Sequence, residues 1–344
     1  MRDDDYQQAA PNPNDNPELM GIKNFQNDVT IQSYWGINQS WISYYSLVIA
    51  ANNALIELDN FAEKIPVSNA ADIKLNRQYK AEVRFLRAYA HLMVSRLFGN
   101  VPILIDSDNI GRLATIQKST VAEVRQFIID EMNACSEDLE DARPNQSKHI
   151  GAVTKYSALL LKAKAAADLA GNDNGSAHWN DVLDATNKII ASGRFSLYPN
   201  YYELFKIPGK LSNESIFELQ YSDFGLGTGD IVRPGVDWGT FFKWQGPSGD
   251  QKGSPISGAG WVPPSQNIVD FLTNRGETER LKTTILYCGV DGNPATTSLT
   301  PSGDVIYGNP FGVKYFNGKA YLPKSQMTAG RMEYGANNNV RILR

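Results

Sequence analysis

Large aromatic side chains share a Gly- and Pro-rich stretch, residues 223–264, of this 344-residue chain. Long loops in compact proteins are usually functional or disordered, and disordered segments are poor in aromatic residues. Flat rings can stack on the C–H faces of sugars while nearby polar side chains bind the hydroxyl groups, so the stretch predicts a saccharide-binding site. The residues selected for this site are Trp238, Phe242, Trp244 and Trp261, with Arg233 and Asp237 as polar partners.

A structural role is the alternative explanation for the same aromatic residues. Each ring can anchor its own loop to the rest of the protein, because burying it removes much apolar area from water. This alternative is strongest for Trp261, since Pro263 and Pro264 follow it and indicate a stiff turn. By contrast, Trp41 and Trp179 fall on helical apolar rows and are predicted to be core residues.

Residues that commonly carry catalysis or bind metals are sparse. The histidines His91, His149 and His178 lie far apart, and none belongs to an H-E-x-x-H pattern. The sequence contains no G-x-S-x-G elbow and no G-x-x-x-x-G-K-[ST] loop. Cys135 and Cys288 are too far apart to suggest a metal cluster or a disulfide framework, and Cys135 lies on an apolar helix face that favours burial. We therefore predict no catalytic residue, no metal site and no cofactor.

Carboxylates are scattered along the chain, and a catalytic pair could come together only in three dimensions. Glu82, Glu123 and Glu131 are predicted to be solvated or capping charges of helices. A glycoside hydrolase is kept as a less favoured alternative, which turnover of polysaccharides would reveal. The net charge of −4 gives no sign of the basic patch that a nucleic-acid partner usually requires.

A long helix between residues 77 and 104 is the clearest element that could support such a site. An apolar row with steps of four and three residues predicts one buried face, and a shorter second row widens it. Gly99 and Pro102 follow the row, as is typical of a helix end. The main row consists of Tyr79, Val83, Leu86, Ala90, Met93 and Leu97, and the second row of Phe85, Tyr89 and Leu92.

Helical spacing recurs in four further segments. Thr120 and Glu123 form a capping box before one of these helices, and Asn52 is predicted to be a buried, hydrogen-bonded side chain on the apolar face of another. Short connections make neighbouring helices antiparallel, and such hairpins stack into a solenoid of the tetratricopeptide type. The four segments are residues 41–56, 121–139, 154–171 and 179–190.

The chain divides into three predicted parts on this basis. Residues 1–28 are predicted to be an irregular lead-in, residues 29–193 a helical solenoid scaffold, and residues 194–344 a loop-rich capping and ligand-binding region. The predicted fold is therefore mainly α: a tetratricopeptide-like helical solenoid with an irregular capping subdomain that contains short strands. The N-terminal residues contain no apolar signal core, and no apolar run is long enough to span a bilayer.

Several short motifs are distributed along these parts. Segment 82–88 reads EVRFLRA, segment 96–102 reads RLFGNVP, segment 214–218 reads ESIFE, and segment 260–271 reads GWVPPSQNIVDF with Arg280 further on. Together these motifs resemble the signature of the SusD/RagB family, which are surface nutrient-binding lipoproteins of Bacteroidetes-type bacteria.

The resemblance implies a non-catalytic protein of the outer membrane, on the cell surface. Such a protein captures oligosaccharides, or peptides in some members, and delivers them to a SusC-like TonB-dependent transporter. The family also carries a signal peptide and a lipid-bearing cysteine near its start, which implies a lipid anchor in the full-length form. Segment 339–344, NVRILR, is similar to the start of a late helix of the family, so we expect the natural chain to be longer at both ends.

A cytoplasmic helical-repeat adaptor that binds peptides in its groove is the first alternative function. It would need an open, polar concave surface and no aromatic cap. Limited proteolysis distinguishes the two interpretations, because removal of residues 223–264 should abolish ligand binding by a capping-region site and spare binding by an adaptor groove.

Overall fold

Helices dominate the protein in the computed structural model, and its strands are few and short. This architecture confirms the predicted mainly α fold. The residues that the structure describes are 5–7, 12, 14–15, 17–26, 32, 34–106, 115–219, 245–247, 260–288, 294–307, 311–321, 323–326 and 340–343.

Nine α-helices and six strands lie in this described part of the chain. The helices are α1 (Pro17–Lys23), α2 (Trp35–Ala62), α3 (Ala70–Phe98), α4 (Val121–Cys135), α5 (Lys155–Ala170), α6 (His178–Ala191), α7 (Tyr201–Leu204), α8 (Gln266–Asn274) and α9 (Glu279–Thr284). The strands are β1 (Ser215–Leu219), β2 (Ile285–Tyr287), β3 (Pro294–Leu299), β4 (Val305–Tyr307), β5 (Tyr315–Asn317) and β6 (Val340–Leu343).

The chain forms two compact units. The first, called here the helical unit, comprises residues 35–197, 213–218 and 341–344. The second, called here the loop-rich unit, comprises residues 1–34, 198–212 and 219–340.

The ends of the helices follow local sequence signals. Thr120 forms a capping box with Glu123 at the start of α4, because its hydroxyl accepts the Glu123 N–H while the Glu123 carboxylate accepts the Thr120 N–H. Gly99 and Gly171 follow α3 and α5 with φ of 74° and 54°, a backbone region that glycine adopts without strain. The predicted capping box and helix stops are therefore confirmed.

Helices α2 to α6 pack against one another in chain order, which is the arrangement of a tetratricopeptide-like stack. The face of α3 that is buried differs from the predicted main row. Phe85 and Leu92 of the second row are 1% exposed, whereas Leu97 of the main row is 58% exposed. Arg87 and His91 lie among the buried residues of α3. Both polar side chains are buried with hydrogen-bond partners.

Strand β1 belongs mainly to the helical unit although its sequence lies beyond the predicted solenoid. The Phe217 ring packs edge-on against Phe85 at 5.0 Å and against Tyr89 at 5.7 Å between centroids. The Ser157 hydroxyl of α5 donates to the Ile216 carbonyl at 3.0 Å. The strand therefore closes the buried side of α3 and α5, and it pairs with β6.

The loop-rich unit contains short helices and two antiparallel strand pairs, β2 with β5 and β3 with β4. Its apolar core includes Leu286, Ile306 and Phe316, which are at most 3% exposed. Helix α1 also lies in this unit, in the segment predicted to be irregular. Its first residue is Pro17, which has a suitable φ for a helix start, and Leu19 is 1% exposed.

Among the helices that the structure describes, none combines the length and the apolar character needed to cross a membrane.

Candidate functional site

Three charged side chains meet between α3 and α4. Arg84 Nη2 lies 2.8 Å from one oxygen of Glu131, and Arg87 Nη2 lies 2.8 Å from the other. Burial alone raises the pKa of the Glu131 carboxyl, but hydrogen bonds and charge from the two arginines outweigh it and hold that pKa below its ordinary value. The prediction that Glu131 is a solvated or capping helix charge is wrong, because the residue is 8% exposed and binds two arginines of another helix, 44 and 47 residues away in sequence.

Asn52 links this ion pair to the chain that follows α3. Its side-chain oxygen accepts a hydrogen bond from Arg87 Nη1 at 2.9 Å, and its Nδ2 donates to the carbonyls of Leu104 and Asp106, each at 3.3 Å. Asn52 is 2% exposed. The predicted buried, hydrogen-bonded asparagine is therefore confirmed, and it ties α2 to the exit of α3.

A second carboxylate connects three helices of the stack. Asp168 of α5 accepts hydrogen bonds from Arg96 Nη2 of α3 at 2.9 Å and from Arg125 Nε of α4 at 2.8 Å. Arg125 is 3% exposed and also donates to the Ser95 hydroxyl. The helical unit thus carries two charge networks between its helices, a buried one at Glu131 and a more exposed one at Asp168.

A polar cleft of about 550 Å³ opens beside the first network. Lys80 Nζ lies 2.5 Å from Asp59, and Arg77 Nε lies 3.5 Å from Asp138. Arg84, the third cation of the cleft lining, binds Glu131, so each of the three cations has a carboxylate partner. The cleft offers hydrogen bonds to a hydroxylated ligand, but its charges already compensate one another.

An open apolar groove of about 410 Å³ lies at the N-terminal half of α2. Trp41 forms one wall and contacts Tyr45 at 4.7 Å and Phe98 at 5.0 Å between ring centroids. Trp41 and Trp179 are both half-buried. The prediction of core positions for these two tryptophans is therefore wrong, because each lies on an apolar row at a point where the packing leaves part of the ring in water.

Trp261 is half-buried and lies in a tightly held turn of the loop-rich unit. Gly260 and Val262, on either side of it, have φ of 67° and 58°. The two prolines that follow are buried, and the Pro263 carbonyl accepts the Gln7 N–H at 2.8 Å. The turn is therefore stiff, as the proline pair suggests, while part of the indole surface remains accessible.

Of the other residues predicted to form the site, none can be placed. Trp238, Phe242, Trp244, Arg233 and Asp237 all lie outside the described residues. The site therefore stays a prediction, and Trp261 is the member whose position is known.

Histidine and cysteine occupy structural positions. The ring of His91 is buried, and that burial lowers its pKa to about 4. Burial raises the pKa of the Cys135 and Cys288 thiols to about 12, which leaves both as neutral thiols. In the described ranges, no group of three or more His, Cys, Asp or Glu side chains is arranged to hold a metal ion.

Residues 3–161 match the SusD-like family model described as "Starch-binding associating with outer membrane". This match makes residues 3–161, a little under half of the chain, similar to SusD-like proteins. The chain is 24% identical over 193 residues to a SusD-like protein of Bacteroides ovatus, a match that covers 55% of this chain and 34% of the relative. It is 29% identical over 161 residues to SusD-like protein P38 of Formosa agariphila, a match that covers 46% of this chain and 27% of that relative. The matched region thus spans between about a quarter and a third of the length of these relatives.

Solved structures show the same fold. Surface glycan-binding protein A from Bacteroides uniformis superposes with a TM-score of 0.71 at 18% identity, over 99% of this chain and 65% of that one. The corresponding protein from Bacteroides thetaiotaomicron, in complex with laminarihexaose, gives a TM-score of 0.69 at 21% identity. The superposition covers 99% of this chain and 68% of that one. At this level of identity the similarity shows the architecture alone.

One of the SusD-like motifs noted in the sequence coincides with contacts that hold the helical unit together. Segment 82–88 supplies Arg84, Phe85 and Arg87, which bind Glu131 and pack on Phe217. This motif therefore contributes to the packing of the helical unit.

Proposed function

We propose that this chain is part of a non-catalytic cell-surface protein that captures oligosaccharides and delivers them to a SusC-like TonB-dependent outer-membrane transporter. The observation that carries the proposal is the family match over residues 3–161, whose description names starch binding and association with the outer membrane. The structural similarity to a surface glycan-binding protein in complex with laminarihexaose supports the saccharide as ligand. Attachment to the membrane through a lipid anchor is part of the same proposal.

The helical unit has the properties of a support for such a site. Two charge networks join helices α3, α4 and α5. Arg84 and Arg87 bind Glu131, and Arg96 and Arg125 bind Asp168. Buried, hydrogen-bonded ion pairs resist separation because removing one partner leaves an uncompensated charge. A rigid scaffold limits the entropy that ligand binding must overcome.

The capture site is proposed to lie in residues 194–344. Its members are Trp238, Phe242, Trp244, Trp261, Arg233 and Asp237. Trp261 supports the assignment, since its ring is partly exposed while its backbone is held by buried prolines and by the Gln7 and Asp5 main chain. A fixed backbone with an accessible indole is suited to stacking on a sugar ring.

Affinity electrophoresis in gels that contain laminarin, starch or another neutral glucan tests the proposal. We expect the wild-type chain to be retarded in at least one gel, and Trp238→Ala, Trp244→Ala and Trp261→Ala each to weaken binding about tenfold through loss of a stacking surface. Trp179→Ala is the matched control, because this half-buried tryptophan lies on α6 of the helical unit.

Three results would contradict the proposal in different ways. Retardation that is unchanged by all three loop substitutions would show that the site lies elsewhere. Binding of peptides with no binding of any glycan would favour the adaptor function. Release of reducing ends during prolonged incubation with the glucans would identify a hydrolase.

A further inference from the structure

A pair of aromatic rings at the surface of the loop-rich unit is held at the short helix α7. Tyr201 begins this helix and Phe205 follows its last residue, and their ring centroids are 5.3 Å apart with the planes at 78°. Asn200 caps the helix by accepting the N–H groups of Tyr202 and Glu203. Both rings are half-buried, so each presents part of its surface to solvent.

Two cationic side chains lie over these rings. Lys319 Nζ is 4.6 Å from the Phe205 centroid and 5.9 Å from the Tyr201 centroid. Arg280 Cζ is 5.9 Å from the same Tyr201 centroid. Both cationic groups therefore lie within 5.9 Å of the centre of the Tyr201 ring. We call Tyr201, Phe205, Arg280 and Lys319 the basic aromatic cluster.

The positive charge of this cluster is poorly compensated. Within the described ranges, no carboxylate lies within 4 Å of Lys319 Nζ, and Arg280 Nε meets Glu277 only at 3.8 Å. An aromatic face attracts a cation without taking up its N–H donors as a carboxylate does. The donors of both side chains are therefore available to an anion, in a chain whose net charge is −4.

The backbone that presents Lys319 is fixed. The Gly318 N–H donates to the Thr284 carbonyl at 2.8 Å, and a Cβ at Gly318 would lie 2.3 Å from the Thr283 carbonyl oxygen. The Gly318 carbonyl in turn accepts the ammonium of Lys206, a fully buried lysine, at 2.7 Å. The turn that carries Lys319 is thus locked to the end of α9, the helix that carries Arg280.

We propose that the basic aromatic cluster binds the negatively charged group of an acidic oligosaccharide, either the carboxylate of a uronic acid or a sulfate ester. The Arg280 guanidinium can donate two parallel hydrogen bonds to such a group, and Lys319 adds a second charge from a fixed position. The free edges of Tyr201 and Phe205 supply apolar contact for the sugar ring. This inference rests on the proposed function, since it names the class of saccharide that the same protein captures.

Isothermal titration calorimetry with matched acidic and neutral ligands tests this assignment. The probes are a hexamer of galacturonic acid with its carboxyl-reduced counterpart, and a carrageenan hexasaccharide with its desulfated counterpart. The test variant is Arg280→Gln/Lys319→Gln. The control is Arg275→Gln/Lys282→Gln, which removes the same charge from two exposed cations of the same segment, outside the cluster.

We expect the wild-type chain to bind at least one acidic probe more tightly than its neutral counterpart, and to lose that preference as the salt concentration rises. The test variant should bind that probe about tenfold more weakly, because two charge-assisted contacts are lost. The control variant should change its affinity less than twofold. The pair of probes that shows the preference distinguishes a carboxylate from a sulfate ester.

Equal affinity for acidic and neutral probes, or equal weakening in both variants, would overturn the inference. If the wild-type chain binds neutral glucans and ignores charge, the inference fails while the proposed function stands. If it binds no saccharide of either panel, the proposed function fails as well. Circular dichroism melting curves of both variants verify that any loss of binding is not a loss of folding.

Discussion

Protonation of a single buried histidine should make this protein sensitive to mild acid. His91 is 0% exposed. Its Nδ1 lies 2.8 Å from the Arg87 carbonyl oxygen and must donate to it, so Nε2 is free to accept the Leu104 N–H at 3.2 Å. A second proton would remove the acceptor for Leu104 and place a charge in the core. Burial chiefly, and the positive charge of Arg87 in addition, therefore lower the pKa of His91 to about 4.

The direction and size of the effect follow from proton linkage. The unfolded chain takes up a proton at His91 near pH 6.5, its ordinary pKa, whereas the folded chain does so only near pH 4. Between these values the unfolded state binds more protons, so the free energy of unfolding falls as the pH falls. At about 1.4 kcal/mol per pKa unit, this histidine should remove about 2 kcal/mol of stability between pH 7 and pH 4.5.

Urea unfolding followed by far-UV circular dichroism measures this quantity at both pH values. His91→Gln is the comparison, because its amide oxygen can accept the Leu104 N–H but cannot be protonated. Carboxylates such as Glu131 and Asp168, whose pKa values lie below their ordinary range, also lose stabilising charge in acid, but they do so equally in both proteins. The wild-type protein should therefore lose about 2 kcal/mol more than the variant.

Equal losses in the two proteins would refute this reasoning. The histidine resonances offer an independent measurement, since the signal absent from the His91→Gln spectrum belongs to His91. A titration midpoint near pH 6.5 for that signal would mean that the ring is accessible to water in solution.

The remaining predictions concern the packing of the helical unit. Glu131→Gln should lower the free energy of unfolding by about 3–5 kcal/mol, because Arg87 would be left as a buried charge without its carboxylate. Phe217→Ala should cost about 3–5 kcal/mol, since it leaves a cavity against Phe85 and Tyr89. Chemical denaturation measures both changes.

Matched exposed positions supply the controls for these two predictions. Glu137, whose side chain is 76% exposed, pairs with Lys155, and Glu137→Gln should change stability by less than about 0.5 kcal/mol. Leu197 is 69% exposed, and Leu197→Ala should likewise have little effect. If the buried and exposed substitutions of either pair lower the free energy of unfolding by the same amount, the energetic importance assigned to the buried contact is wrong.

Local signals made the helical framework predictable from the sequence. The capping box of Thr120 and Glu123 and the glycines after α3 and α5 act within a few residues, so their spacing is visible in the chain itself. The periodicity of residues 41–56 likewise identified most of α2.

Contacts between distant residues limited the same approach. Arg87 and Glu131 have the composition of helix surfaces, and only their pairing across 44 residues makes them core residues. Trp41 has the spacing of a core residue, yet its ring stays partly exposed and lines a groove. The basic aromatic cluster was not predicted at all, because Tyr201, Arg280 and Lys319 come together only through the turn at Gly318.

The carboxylate of Asp168 has a consequence for how the helical unit comes apart. In an ideal repeat array each element contacts only its immediate neighbours, so the ends can fray one hairpin at a time. Asp168 on α5 binds Arg96 on α3 as well as Arg125 on α4, and thereby reaches past its neighbour. Peeling α5 away strips both arginines of their counter-ion in one step. Loss of α5 therefore disturbs contacts of both α3 and α4, a coupling that extends beyond nearest-neighbour stacking.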